Sequence, residues 1–320
     1  MSDRIWVAFG CDGEFAPHVG VVISSILRHS AAGKFHFLVM HQGFSAAQKE
    51  ALIALAPKEL FTWIDMNAYD LPEYHVSNHI SHATLFRLAL EKMAPEDCHR
   101  LIYLDADLIV MGDLQELWDQ DLNGAALGAI QDAGLSPNMP NVEQHWLDWV
   151  DDKDGVYMNA GVLLLDLDQL RRDGGFAEAM EIIAKHGADL PYQDQDAINR
   201  VFWNKSKRLP LDWNVQRYQL LQPVWPYLSK QSRAAVRHPK IVHFTGPEKP
   251  WNLEGYHPWW WTYWDELART PFFDEVRETH GITRSQLFQL WLRWLKRRPL
   301  SMYATGNFPG AFLKASASDK

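Results

Sequence analysis

One stretch constrains this chain more than any other: Arg100-Leu101-Ile102-Tyr103-Leu104-Asp105-Ala106-Asp107-Leu108-Ile109-Val110, an apolar run cut once by two carboxylates and then resumed. Leu101 to Leu104 are branched or aromatic, the pattern of a strand buried on both faces in a parallel sheet covered by helices. The cut falls at the strand's carboxyl end, where open α/β sheets bind ligands. Buried unpaired carboxylates are very costly, so Asp105 and Asp107 call for a counter-ion, and a divalent cation with oxygen ligands is the natural one.

The Asp-any-Asp pattern also occurs at Asp119/Asp121, Asp152/Asp154, Asp166/Asp168 and Asp194/Asp196. Only the copy at Asp105 closes a strongly apolar strand and is followed at once by another apolar run. The other copies read as solvated turn or helix-end charges.

The surrounding pattern alternates strands and helices, which points to βαβ units and a mostly parallel sheet. Ile5 to Phe9 is strand-like and enters Gly10-Cys11-Asp12-Gly13-Glu14-Phe15, after which Pro17 opens a helix to about Ser30. Phe35 to Met40 and Phe61 to Ile64 are further strands, and Ser45 with Gln48 forms a capping box for the helix between them. A helix from about Ser81 to Met93 carries Arg87, which either snorkels to solvent or aims at a carboxylate or phosphate. A short helix at Leu114 to Trp118 precedes a strand from Ala125 to Ile130 that ends near Asp132.

Residues 135–155, with two prolines and several acids, suit a mobile loop or lid. Tyr157 to Asp166 is another buried strand with Asn159 at its mouth. Phe176 to His186 is helical, and Tyr192-Gln193-Asp194-Gln195-Asp196 begins the next helix. A strand around Lys240 to Phe244 then meets His243-Phe244-Thr245-Gly246-Pro247-Glu248-Lys249-Pro250-Trp251, a stiff loop offering one metal ligand and one ammonium for a phosphate.

At 320 residues the length suits one α/β domain with an appendage, given about 150 residues per domain. The expected division is 1–255 for the main α/β unit and 256–320 for an extension. The net charge of -9 argues against a general nucleic-acid binder. Two cysteines, Cys11 and Cys98, give neither a disulfide framework nor a zinc site, which fits a reducing cytoplasm. The N-terminus enters a strand without an apolar signal segment, and no stretch approaches the ~20 apolar residues of a spanning helix. Fifteen tryptophans serve either as core and interface or as platforms for sugar rings.

On Leu104-Asp105-Ala106-Asp107, Asn159-Ala160-Gly161-Val162-Leu163-Leu164, Tyr192-Gln193-Asp194-Gln195-Asp196 and His243 to Trp251, in this order, the chain resembles glycosyltransferase family eight. It is most similar to the bacterial lipopolysaccharide core glucosyl- and galactosyltransferases, whose C-terminal extension is matched by His257-Pro258-Trp259-Trp260-Trp261-Thr262-Tyr263-Trp264. The resemblance implies a GT-A type α/β fold, a UDP-sugar donor, Mn²⁺ dependence with Mg²⁺ as the second candidate, and retention of anomeric configuration. It assigns Asp105, Asp107 and His243 to the metal, a donor set that suits Mn²⁺ better than all-oxygen Mg²⁺. It places Gly246 and Lys249 at the diphosphate, with Ala106 also on the donor, and Ala8, Asp12 and Phe15 at the uridine. Arg87, Asp132, Asn159, Gly161, Asp194 and Gln195 would hold the transferred sugar, with Asp132, Asp194 and Gln195 nearest the reaction. Glu14 departs from the asparagine of many relatives.

The implied acceptor is a lipid-linked oligosaccharide. Leu287, Leu290, Trp291, Trp294 and Leu295 lie on one side of a tail helix, with Gln286, Gln289, Arg293, Lys296 and Arg297 on the other. Such a basic amphipathic helix either docks peripherally on the inner face of the cytoplasmic membrane or packs on the main domain. Two other readings stand beside the transferase. A sugar nucleotidyltransferase would carry a basic glycine-rich loop after the first strand, which Gly10 to Phe15 lacks, and a carbohydrate-binding or membrane-scaffold protein would need no metal.

Overall fold

The strand ending on Asp105 lies in the middle of a seven-stranded sheet. A computed structural model describes residues 4–69, 82–135, 145–150, 152, 155–220, 222–252, 257 and 259–295. In chain order, β1 (Ile5–Asp12) is followed by α1 (Ala16–His29), β2 (Phe35–Gln42), α2 (Ala46–Ile53) and β3 (Phe61–Asp65). The next helix, α3 (Phe86–Met93), leads into β4 (Arg100–Leu104), β5 (Leu108–Val110), the single turn α4 (Gln115–Trp118) and β6 (Leu127–Gln131). Then come β7 (Met158–Asp166), α5 (Leu167–Asp173), α6 (Gly175–His186), α7 (Gln193–Phe202) and two-residue strands β8 (Lys207–Arg208) and β9 (Val215–Gln216). The described chain closes with α8 (Lys230–Arg237), β10 (Ile241–His243), α9 (Trp260–Leu267), α10 (Phe273–Thr279) and α11 (Arg284–Leu295).

The main sheet runs β3-β2-β1-β4-β7-β6-β8, and a small second sheet runs β5-β10-β9. Pairings among β1 to β4 are parallel, as the alternation of strands and helices requires, but β7 is antiparallel to both neighbours. Strand direction leaves no mark on an all-apolar run. The reversal has a consequence for position: the start of β7, not its end, lies beside the carboxyl end of β4.

Side chains alternate across a strand, and the sheet is apolar on both faces. Val7, Phe9, Phe37, Val39, Ile102 and Leu104 face one cluster with α1 and α9 residues. Ala8, Leu38, Met40, Leu101 and Tyr103 face the other, with residues of α3, α6 and α7. Local signals set the helix starts. The Ser45/Gln48 capping box is present, and Pro17 lies in the first turn of α1. Asp166 accepts from Gln169 N at 2.8 Å to cap α5, and Asp121 accepts from Asn123 N at 2.8 Å in a turn. These are the helix-end and turn roles expected of two spare Asp-any-Asp copies. The copy at Asp194/Asp196 departs from that expectation, being 4% and 0% exposed.

The tryptophan-rich segment is core. Trp259, Trp261 and Trp264 are fully buried in the cluster that also holds Val7 and Phe9. Their amphipathic rings still need polar partners, and the indoles of Trp260 and Trp264 donate to Pro250 O. Helix α9 is pinned to α1 by Ser24 Oγ donating to Glu266 Oε1 at 2.6 Å, by Arg28 beside Glu266 at 3.1 Å, and by a His18–Tyr263 hydrogen bond of 2.7 Å. On α11, Leu287 is buried, and Leu290, Trp291 and Leu295 pack on the same core. Of the two uses expected for this apolar face, packing on the main domain is the one observed, while Phe288 and Leu292 point outward at 45% and 42% exposure. The side chains of Arg293 and Trp294, and all of Lys296 and Arg297, lie outside the described residues, as does much of the lid expected at 135–155. Among the described residues no helix is long and apolar enough to cross a membrane.

Candidate active site

The site is built on a fault in the sheet. Ala129 of β6 pairs with Leu163 of β7, but the next residue, Ile130, pairs with Asn159, so Ala160, Gly161 and Val162 bulge out of that ladder. Bulges of this kind re-aim side chains and cluster beside functional sites. The backbone groups they free must find other partners, and here the candidate residues supply them. Gln195 Oε1 accepts from Ala160 N at 3.0 Å, Asn159 Oδ1 accepts from Gly161 N at 3.0 Å, Asp105 N donates to Gly161 O at 2.9 Å, and Arg87 donates to Ala160 O.

The two short strands bring in the rest. His243, last residue of β10, pairs with Leu108 of β5 and with Gln216 of β9. That register sets its ring beside Asp107, whose Oδ1 lies 3.0 Å from Nε2, with Asp105 Oδ2 at 3.7 Å. Ligand atoms of Asp105, Asp107 and His243 all lie within 4.8 Å of one another. Gly161 is the floor beneath them: a Cβ there would meet His243 Cε1 at 2.3 Å and Asp105 Oδ2 at 2.6 Å. Two carboxylates and one imidazole converging over a residue with no side chain fit a divalent metal ion.

Charge is balanced tightly. Lys249 Nζ pairs with Asp107 Oδ2 and donates to Phe244 O at 2.8 Å. Burial raises the Asp107 carboxyl, but Lys249 and His243 pull harder and hold it well below the usual carboxylate range. Arg87, 5% exposed, places its terminal nitrogen 3.0 Å from Asp105 Oδ1 and its Nε 2.9 Å from Asp194 Oδ2. The guanidinium therefore aims at carboxylates instead of snorkelling. Its Nε–H is spent on Thr84 O at 3.0 Å, so Asp194 Oδ2 feels the charge yet receives no aligned hydrogen bond. Burial outweighs Arg87 and pushes the Asp194 carboxyl up to about 6. Asp194 does not cap its helix, which begins after Tyr192 without a side-chain cap. Burial also pushes the Tyr103 phenol well above 10 against the pull of Arg87, and the phenol donates to Asp105 Oδ1 at 3.0 Å.

Four N–H groups converge on Asp132: those of Gly134 and Leu135 at 2.9 and 3.1 Å on Oδ1, and Asn159 Nδ2 and Gln195 Nε2 at 3.0 and 3.2 Å on Oδ2. Gln195 Oε1 accepts from both Ala160 N and Asn159 Nδ2, so both carbonyl lone pairs are engaged. Asp12, Phe15, Ala106 and Lys249 line the cleft with the aspartates, together with Gly10, Cys11 and Thr84. Ala8 does not: it is fully buried in mid-strand, and Gly10 and Cys11, nearer the carboxyl end of β1, line the cleft instead. Gly246 lies on the exposed turn after β10 with φ 86, a conformation that suits glycine, and is absent from the cleft lining. Glu14 is exposed, and Asp12 Oδ1 accepts from its amide at 3.1 Å.

Three participants are given no role by the sequence motifs, although Asp196 and Tyr103 lie within them. Asn214 bonds to His243, Asp196 accepts from His145 and from Tyr192 N at 2.9 and 2.7 Å, and Tyr103 bonds to Asp105. Each is identified by a partner far away in sequence, apart from Tyr103, whose place in the apolar run hides its hydroxyl.

A family model described as Glycosyl transferase family 8 matches residues 6–255. General stress protein A of Bacillus subtilis (strain 168) is 28% identical over 84% of this chain and 95% of its own length. The lipopolysaccharide 1,2-glucosyltransferase of Escherichia coli (strain K12) is 25% identical over 86% of this chain and 80% of its own. The lipopolysaccharide 1,3-galactosyltransferase of Salmonella typhimurium is 25% identical over 80% of this chain and 76% of its own. The solved galactosyltransferase LgtC, in complex with donor and acceptor sugar analogues, superposes with a TM-score of 0.69 at 24% identity, over 83% of this chain and 96% of its own, a likeness of fold.

Proposed function

The chain belongs to glycosyl transferase family 8, and from that membership we propose that it moves a hexose, glucose or galactose, from a UDP-sugar to a lipopolysaccharide-core or similar glycolipid acceptor, with retention and with Mn²⁺. The observation that carries the reading is the convergence of Asp105, Asp107 and His243 over Gly161. Relatives named for lipopolysaccharide glucosyl and galactosyl transfer support the donor and acceptor classes.

A bound divalent ion would supply neutralisation of the charge that develops on the departing diphosphate. Lys249 adds an ammonium at the same edge of the cleft, while Asp12 and Phe15 line the nucleotide side. Asp194 is the strongest candidate to hold the sugar: its Oδ2 is a buried acceptor with no aligned donor, and Arg87 keeps its charge beside the oxocarbenium-like face. Gln195, its oxygen accepting from two N–H groups, holds the bulge and Asn159. With Asp194 paired to Arg87, departure and attack on one face of the sugar is the simpler retaining route, the UDP oxygen taking the acceptor proton.

Residues 1–255 form the nucleotide-sugar-binding unit in this proposal, with 256–320 as its extension. Contact with the inner face of the cytoplasmic membrane would use the outward side of α11, where Phe288 and Leu292 are exposed. Purified protein is to be incubated with UDP-, GDP- and ADP-sugars, with Mn²⁺ or with EDTA. Release of UDP from UDP-glucose or UDP-galactose only with the metal is expected. Formation of UTP and hexose 1-phosphate from the UDP-sugar once pyrophosphate is supplied would support the nucleotidyltransferase reading, and Mn²⁺-independent nucleotide binding would overturn the metal assignment.

A further inference from the structure

We infer that Asn214 is a positioning residue for the metal site: it sets which nitrogen of His243 faces the two aspartates, and ties that ring to the residues around Asn159. The inference rests on the metal-dependent reading above. It follows from a chain of hydrogen bonds whose direction is fixed at both ends. Gly161 N–H can only donate, and it donates to Asn159 Oδ1 at 3.0 Å. Asp132 Oδ2 accepts from the other end of that amide, Nδ2, at 3.0 Å. The oxygen and nitrogen of Asn159 are thereby assigned.

The Asn214 atom lying 2.8 Å from Asn159 Oδ1 must then be its NH₂ group. Its carbonyl is left facing His243 Nδ1 at 3.0 Å. A carbonyl only accepts, so Nδ1 carries the proton, and Nε2, 3.0 Å from Asp107 Oδ1, is the nitrogen left to bind a cation. The three residues nearest the ring are shielded from water: Asn214, His243 and Asn159 are 1%, 3% and 6% exposed. Outer partners of this kind orient metal-bound histidines. Here the same amide continues through Asn159 to Asp132 and Gln195, so the metal ligand and the residues that hold the bulge share one relay.

Two substitutions separate the two halves of that role. Asn214→Asp keeps an acceptor for the Nδ1–H but loses the donor to Asn159; Asn214→Leu loses both with the same number of side-chain heavy atoms. Mn²⁺ dissociation constants are to be read from the EPR signal of free Mn²⁺, and turnover from UDP-glucose and UDP-galactose hydrolysis at saturating Mn²⁺. Asn214→Leu is expected to weaken Mn²⁺ binding about 10- to 100-fold. Asn214→Asp is expected to hold Mn²⁺ affinity within about threefold while losing at least about 10-fold in turnover. That split stands on the aspartate variant alone if the leucine variant does not fold. Asn214→Leu with unchanged Mn²⁺ affinity, or loss of affinity and turnover together in Asn214→Asp, would overturn the inference. Failure of the unsubstituted protein to bind Mn²⁺ would overturn the metal reading as well.

Discussion

Gly161→Ala is the most direct perturbation of the candidate metal site, because its consequence can be worked from distances. A Cβ at this position would stand 2.3 Å from His243 Cε1, 2.6 Å from Asp105 Oδ2 and 3.0 Å from His243 Nδ1. Ordinary contact begins at 3.4 Å, so the imidazole must retreat by about 1 Å and the carboxylate by a little less. Neither moves freely: His243 is held by Asn214 and Asp107, and Asp105 by Arg87 and Tyr103. The alternative is for residue 161 to move, which would break the bond from Asp105 N to Gly161 O. Overpacking of this kind typically costs about 1–3 kcal/mol, which a domain of this size survives. Misplacing reacting or liganding groups by ~1 Å costs about 100-fold. The expected result is therefore a folded protein that has lost at least about 100-fold in Mn²⁺-dependent UDP release. The assays are Mn²⁺ titration by EPR, UDP release, and near-ultraviolet circular dichroism as a check on the fold. Wild-type Mn²⁺ affinity and turnover in Gly161→Ala would refute the placement of a cation over this glycine.

Asp107→Ala should abolish turnover and leave Lys249 without its carboxylate, whereas His243→Ala should weaken Mn²⁺ binding less completely because both carboxylates remain; equal residual activity in the two variants would count against the ligand set. Asp194→Asn tests the buried carboxylate in metal-free protein. Because its folded value, about 6, lies above the ordinary 3.8, Asp194 stabilises most below pH ~4 and that contribution is lost as pH rises through about 6. The asparagine variant should therefore gain up to about 3 kcal/mol of stability relative to wild type between pH 4 and pH 7, and a flat difference in denaturant unfolding across that window would contradict it. Trp264→Ala should cost about 3–5 kcal/mol with Kd for UDP unchanged, as befits a core residue; loss of sugar binding in a fully stable variant would restore the stacking role. Phe288→Ser with Leu292→Ser should reduce co-sedimentation with anionic liposomes at moderate salt while leaving UDP release intact, and unchanged sedimentation would remove the membrane contact through α11.

Much of the site could be read in the sequence because its signals are local. The apolar run broken at Asp105 and Asp107 forces a buried strand to end on two carboxylates, and the loop from His243 to Pro250 carries its own glycine and prolines. The Ser45 capping box and the Pro17 helix start are likewise settled by residues within one turn. The sequence could not say that β7 runs against its neighbours, since an apolar strand buried on both faces looks the same in either direction. Only that reversal and the bulge at Ala160 to Val162 bring Gly161 beneath His243 and Asp105. Apart from the family motif, nothing in the sequence distinguished Asp194 and Asp196 from solvated acids, because what buries them is packing against Arg87, Tyr157 and His145, each 39 or more residues away. The tail helix shows the same limit: its apolar stripe is plain in the sequence, but whether lipid or protein covers it depended on an open face of the core, which Leu287 fills. Asn214 had no signal at all, and its role comes from strand register, which sets one amide between two side chains that the chain places 29 and 55 residues away.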